Sequence, residues 1–237
     1  MGFHRLVLYH HHPVMGTTTR DTHDYAYHTH EGHQDYEQVR LSRESLCNHL
    51  GFTSLVTLRQ THSDRVYHIH AGNVEEYLAN ALKEGDGLWT ELSDVLIGVF
   101  TADCLPVFFW NEDVVGVVHA GRRGVYAQIH TKMVEELASH GYNPASLSVV
   151  IGPHIRSCCY EVGEDVLQGV STSYAVKRGG KWYLDLEKKV CDDLRSMGIS
   201  HIETFGVCSL CSDPDLWYSY RRGEKQARHL HFVGKKI

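Results

Sequence analysis

Val95 to Phe100 is an almost unbroken apolar run, the pattern of a strand buried on both faces rather than of a half-solvated one. It stops at Thr101-Ala102-Asp103-Cys104-Leu105-Pro106 and restarts as a strand over Val107–Trp110. Asn111-Glu112-Asp113 then predicts a hairpin-like turn into a strand over Val114–Val118 that ends at His119. Earlier, the apolar positions Val39, Leu41, Leu46 and Leu50 fit a helix over 36–50, ended by Gly51. Short strands are expected at Leu55–Leu58 and Val66–Ile69, with a turn at Asp86-Gly87. Downstream, Val125, Ile129, Met133, Val134 and Leu137 give the stripe of a helix over about 125–140 that Gly141 stops.

The remaining pattern predicts a strand at 147–151, helices at about 162–175 and 187–197, and a strand near 202–207. Residues 13–33, rich in Thr, His, Asp and Gly, read as a long loop, and 217–233 as a last β segment. No Pro-, Gly- or Ser-rich linker divides the chain. Adjacent strands joined by turns favour an α+β fold over regular βαβ alternation, with mixed sheets flanked by helices in one domain over 1–237.

Composition narrows the partners. With 23 basic against 29 acidic residues and no basic block, no nucleic-acid footprint is present. The N-terminus carries no apolar stretch suited to a signal peptide or membrane span, so a cytoplasmic protein without membrane contact is expected. The seven cysteines are then expected as thiols: ligands, nucleophiles or core residues. Cys208-Ser209-Leu210-Cys211 lacks a second C-x-x-C pair and is read as packing. The early histidines, His10, His11, His12, His23, His28, His30 and His33, read as a solvated surface. No oligomeric state is implied.

His62, Cys104 and His119 each fall at a predicted strand end, where a sheet can bring distant side chains together rigidly. A His₂Cys set suits zinc with a fourth position open, and copper could occupy it in vitro. Position alone leaves this beside a plainer reading, in which a histidine at a strand end is a satisfied polar residue and a lone cysteine packs as a small hydrophobe.

The flanking motifs are Gln60-Thr61-His62, Thr101 to Pro106, His119-Ala120-Gly121-Arg122-Arg123-Gly124, Ile151-Gly152-Pro153 with Cys159-Tyr160-Glu161-Val162-Gly163, and Ser219-Tyr220-Arg221-Arg222. Together, in this order over about residues 36–230, they resemble the YfiH/laccase-domain family, formerly called multicopper polyphenol oxidases. The resemblance implies a sandwich of mixed sheets related to the cytotoxic necrotizing factor deamidase domain. It also implies zinc on His62, Cys104 and His119, which would be both metal ligands and catalytic residues. The implied activity is phosphate-dependent cleavage of adenosine, inosine, guanosine and methylthioadenosine, with adenosine deamination beside it. The partners would then be purine nucleosides and phosphate.

The chain departs from the pattern where Arg122 replaces the usual Trp, at Ser42-Arg43, at Thr19-Arg20-Asp21-Thr22 and at Gln226-Ala227-Arg228. For the phosphate, Arg123 at the start of the 125–140 helix is the leading candidate, with Arg43, Arg221 and Arg222 behind it. Among the motif carboxylates Asp86, Asp103 and Glu161, Asp103 is expected to stabilise its turn. The His-x-Glu and Pro-Cys-x-x-Cys motifs of nucleobase deaminases are absent. The alternatives are a metal-free Cys–His hydrolase or deamidase built on Cys104 and His119, a copper phenol oxidase prompted by His28/His30 and His68/His70, and a binding module with structural zinc.

Overall fold

The computed structural model describes residues 5–20, 25–26, 36–79, 83–168 and 170–236. Its elements are β1 (Leu6–His11), β2 (Val14–Thr18), α1 (Tyr36–Leu50), β3 (Ser54–Thr57), β4 (Val66–Ile69), α2 (Val74–Ala79), β5 (Gly87–Thr90), β6 (Val95–Thr101), β7 (Leu105–Trp110) and β8 (Val115–Ala120). They continue with α3 (Arg122–Tyr126), α4 (Ile129–Ser139), β9 (Ser148–Ile151), β10 (Glu161–Val162), α5 (Glu164–Leu167), β11 (Ala175–Arg178), β12 (Lys181–Leu184), α6 (Leu186–Ser196), β13 (His201–Thr204) and β14 (His229–Gly234).

Two large mixed sheets pack face to face. One runs β1-β2-β14-β6-β3, the other β13-β9-β7-β8-β5-β4, and β10-β12-β11 form a small third sheet. The apolar side chains sort into three layers. Met15, Val56, Ile97, Val99, Phe108, Val115 and Val117 fill the space between the large sheets. Leu46, Leu55, Leu96, Phe100 and Phe232 pack under α1 on the outer face of the first sheet. Leu105, Val107, Phe109, Val118, Ile129, Met133, Val190 and Leu194 pack the second sheet against α4 and α6. Residues of β6 alternate between two of these layers, which is why its sequence is apolar throughout. The expected α+β sandwich of mixed sheets flanked by helices is the fold observed.

Several elements depart from expectation. Val14–Thr18 is a buried strand, not part of a loop. Its period is hidden because Thr17 and Thr18 are buried on hydrogen bonds: Thr17 Oγ1 meets His231 Nδ1 at 2.6 Å, and Thr18 Oγ1 accepts from the Leu230 amide at 2.9 Å. Asp86-Gly87 opens the buried strand β5 instead of forming a turn. The expected helix at 125–140 is two helices, α3 and α4, separated at Gln128 with φ 62°. The expected helix at 162–175 shrinks to α5, and the chain enters a hairpin of β11 and β12 turned by Gly179-Gly180, both at positive φ. That Gly-Gly pair is a hairpin signal. Of 217–233 only the last part is strand, and 208–228 is a succession of turns. No helix among the described residues is long and apolar enough to cross a membrane.

Register carries the site. β4 runs parallel to β5, β5 antiparallel to β8, and β8 antiparallel to β7. The starts of β4, β5 and β7 and the end of β8 therefore share one edge. Pro106 faces His119 across the β7–β8 ladder, and Gly87 faces Val118. The segments 58–65 and 102–104 both cross from the first large sheet to the second at this edge. His62 lies on one crossing and Cys104 on the other.

Candidate active site

At this edge, ligand atoms of His62, Cys104 and His119 all lie within 4.8 Å of one another. Cys104 Sγ is 3.9 Å from His62 Nε2, and the His62 and His119 rings meet edge to face at 4.7 Å. The three residues become progressively less exposed from His62 through Cys104 to His119.

Asp86, fully buried at the start of β5, holds the set in place. Its carboxylate accepts the backbone amides of Thr61, His62 and Ser63 at 3.2, 3.1 and 2.7 Å, and the Ser63 hydroxyl at 2.6 Å. It also takes His119 Nδ1 at 2.7 Å, which leaves Nε2 facing Cys104 and the cavity. Burial disfavours the carboxylate, yet the His119 and Ser63 donors outweigh burial and keep Asp86 below the ordinary carboxylate range. These bonds hold His62 in the left-handed region, φ 58°, where a non-glycine residue sits only under constraint.

The Cys104 crossing is held in the same manner. Asp103, at φ 93°, accepts Ser209 Oγ at 2.6 Å and the Arg221 amide at 2.7 Å, and its carbonyl accepts the Ile155 amide at 2.9 Å. This is the turn-stabilising part expected of Asp103. Gln60 acts as a surrogate strand: its amide donates to the Phe100 carbonyl at 2.8 Å and accepts the Phe100 N–H at 2.6 Å. Arg59-Gln60-Thr61 thereby keeps contact with the end of β6 while the chain changes sheets.

Burial opposes ionisation of Cys104, but the His119 and His62 imidazoles beside it prevail and bring the thiol down to about 6. His119 would be lowered by burial, whereas Cys104 and Asp86 together push it up to about 9. The pair is thus poised as thiolate and imidazolium when no metal is bound. The donor set fits a metal ion. Zinc with ligands at roughly 2.0–2.3 Å needs tetrahedral donor separations of about 3.3–3.8 Å, close to the distance observed. Space is kept for it by Gly121, where a Cβ would fall 2.7 Å from His62 Cδ2 and 3.0 Å from Cys104 Sγ.

These residues line a cavity of about 570 Å³, together with Gln60, Phe100, Asp103, Arg122, Tyr160, Tyr220, Arg221 and Arg228. Of the arginines expected at the phosphate, only Arg221 lines it; its guanidinium donates to the Glu161 carbonyl at 2.9 Å beside the Tyr160 ring. Arg43 is withdrawn: buried in α1, it is spent on the Tyr25 carbonyl and the Thr57 hydroxyl, both at 2.7 Å. Arg123 is exposed on the outer side of α3, and its neighbour Arg122 faces the cavity instead. Successive side chains on a helix point about 100° apart, so Arg122 turns to the cavity where Arg123 turns to solvent, and assignment by loop position was off by one. Arg222 is bound into its own turn by the Leu210 and Trp217 carbonyls and Glu224. Arg228, not expected, is desolvated in the cavity wall, and burial pulls its pKa down. Its only sequence signal is the Gln226-Ala227-Arg228 triplet.

Among the described residues, two groups of three or more donors are close enough to share an ion: this one and a group of four cysteines. His10, His11 and His12 belong to neither, and His23, His28, His30 and His33 lie outside the described residues. His68 and His70 are neighbours at 5.1 Å, but His68 Nε2 is engaged by Glu91 at 2.6 Å.

Known proteins resemble this chain in sequence and in fold. A purine nucleoside phosphorylase of Clostridium acetobutylicum is 35% identical over 188 residues, 76% of each chain. The purine nucleoside phosphorylase YlmD of Bacillus subtilis is 35% identical over 200 residues, 77% of this chain and 71% of its own. The crystal structure of Bacillus licheniformis YfiH superposes with a TM-score of 0.84 at 28% identity, covering 99% of this chain and 97% of its own. That of YlmD from Geobacillus stearothermophilus gives 0.82 at 27%, covering 94% and 92%. With its match over residues 15–236, the chain belongs to the family described as multi-copper polyphenol oxidoreductase laccase.

Proposed function

We propose that the chain is a zinc-dependent purine nucleoside phosphorylase, acting on adenosine, inosine, guanosine or methylthioadenosine, with adenosine deamination as a side activity. One observation carries this reading: a His₂Cys donor set and three arginines, Arg122, Arg221 and Arg228, share a single cavity. The purine nucleoside phosphorylases to which the chain is similar support the same substrate class.

His62, Cys104 and His119 are the residues that would hold zinc. Zinc there would supply a Lewis acid with an open coordination position. The chain's own groups do the rest. The three guanidiniums bind phosphate and offset its charge as a phosphate oxygen forms its bond to the sugar C1′. The C1′–N9 bond breaks, its electron pair leaves with the purine, and sugar 1-phosphate is the second product. Phe100, Tyr160 and Tyr220 offer aromatic faces for the base. Asp86 keeps His119 and the His62 turn oriented throughout.

Zinc-loaded protein incubated with adenosine, with and without phosphate, followed by chromatography of the products, tests the reading. Adenine formed only with phosphate is the expected result, and inosine marks deamination. Full turnover by metal-free protein overturns the zinc requirement.

A second reading, a metal-free Cys–His hydrolase or deamidase, is favoured by one feature: Asp86, His119 and Cys104 line up as orienting acid, base and nucleophile. It leaves His62 without a part. Rapid alkylation of Cys104 unaffected by chelator, with activity retained in His62→Ala, is the outcome that would replace the first reading with this one.

A further inference from the structure

We propose that Cys158, Cys159, Cys208 and Cys211 form a second metal site, a structural tetrathiolate zinc centre distinct from the His62–Cys104–His119 set. Their four sulfurs lie within 4.8 Å of one another, and Cys158 Sγ is 3.6 Å from Cys211 Sγ. Four thiolates around zinc at about 2.3 Å must stand about 3.8 Å apart if tetrahedral. A disulfide requires a separation near 2.05 Å, and all seven cysteines are free thiols. Packing is a poor account of the cluster, because Cys158 and Cys211 are exposed whereas cysteines used as small hydrophobes are buried.

The local backbone is shaped for the task. Cys158 and Cys159 lie in a turn where the amides of Cys159 and Tyr160 both donate to the Arg156 carbonyl, at 2.8 and 2.9 Å. Cys208-Ser209-Leu210-Cys211 forms a second turn, closed by the Ser212 amide on the Cys208 carbonyl at 3.0 Å. The turns are held side by side by the His154–Cys208 bridge and by the Ser209 amide donating to the His154 carbonyl at 2.9 Å. Zinc with four thiolates carries two net negative charges. The Arg178 guanidinium donates to the Ser157 and Cys158 carbonyls at 2.5 and 3.1 Å, so a cation stands beside the centre. The second C-x-x-C pair that the sequence lacks is replaced in space by the adjacent pair Cys158-Cys159.

The centre would staple the two loops that build one wall of the active site. Ile155 and Tyr160 line the cavity from one loop, and Ser209 of the other clamps Asp103 beside Cys104. Nothing in this assignment depends on the catalytic reading.

Zinc content by mass spectrometry, and the metal's shell by X-ray absorption, are measured on the full chain purified under reducing conditions without chelator. Native protein is expected to hold two zinc ions per chain. Cys104→Ala should keep one, with four sulfur neighbours, and Cys211→Ser should keep one with nitrogen in its shell. If Cys211→Ser does not fold, the Cys104→Ala spectrum decides alone. Native protein with a single zinc in a four-sulfur shell would support this site and sink the catalytic one. A folded Cys104→Ala protein without zinc overturns the proposal. So does a native thiol count two short of seven, which reveals a disulfide, or iron in place of zinc.

Discussion

Asp86 has no exposed surface and touches no substrate-sized space, yet five donors converge on its two oxygens. Replacing it with Asn keeps the shape but puts an N–H₂ where an acceptor is needed, so at least one donor in the His62 turn or on His119 loses its partner. Loss of such a partner behind a metal ligand typically weakens binding by about 10–100-fold. Asp86→Asn should therefore bind zinc 10–100-fold more weakly, as read by competition against a chromophoric chelator. Unchanged affinity would remove Asp86 from the metal site. None of this was legible from the Asp86-Gly87 pair, which read as a turn because Asp and Gly share that signal with strand starts.

Among the elements, the end of β6 and the strand β14 make different predictions. Gln60 pairs with both backbone groups of Phe100, so Gln60→Ala removes two hydrogen bonds at the cavity edge. A cost of about 1–3 kcal/mol in stability is expected, measured by urea unfolding with an unchanged m-value. In β14, His229 donates from Nδ1 to the Thr18 carbonyl at 2.7 Å and accepts the Tyr218 amide on Nε2 at 2.6 Å. Burial lowers its pKa to about 4, and burial likewise takes His231 well below its usual value. Both remain neutral in the fold where the unfolded chain, near pH 6.5, takes up protons. Stability should fall as pH drops from about 6.5 towards 4, because the unfolded state then binds more protons. Thermal unfolding at pH 7 and 5 checks the sign, and a higher melting temperature at pH 5 would refute it. Strand β14 was legible as β from its apolar residues, whereas β2, its partner, was not. Thr17 and Thr18 are interior by hydrogen bonding, and no hydropathy period reports that.

At the scale of the molecule, three arginines from two separate segments, α3 and the turns of 208–228, meet in one cavity of a chain whose net charge is −6. Overall charge therefore says little about the local field. If this field binds phosphate, Arg228→Ala and Arg122→Ala should each raise the KM for phosphate by tenfold or more, about 1.4 kcal/mol per decade, and move the nucleoside KM far less. Steady-state kinetics with each substrate varied in turn separates the two. An equal rise in both constants would mean that the arginines shape the whole cavity rather than hold the anion. Arg43 and Arg123 mark the boundary of sequence reading here. Motif position put them near the site, but side-chain direction, set by packing of α1 and the rotation of α3, turned both away.

By itself the sequence determined the strands with apolar runs, the helix at 36–50 and the α+β class, and its motifs singled out His62, Cys104 and His119. Those signals are local: a hydropathy period or a short motif is complete within a few residues. Tertiary structure alone decided that two crossings between sheets meet at one edge, that Asp86 lies behind the donors, and that Arg122 and Arg228 face inward. It also decided that four cysteines from two distant turns meet. Each of these depends on register and on side-chain direction between segments distant in the chain, information that no local pattern holds.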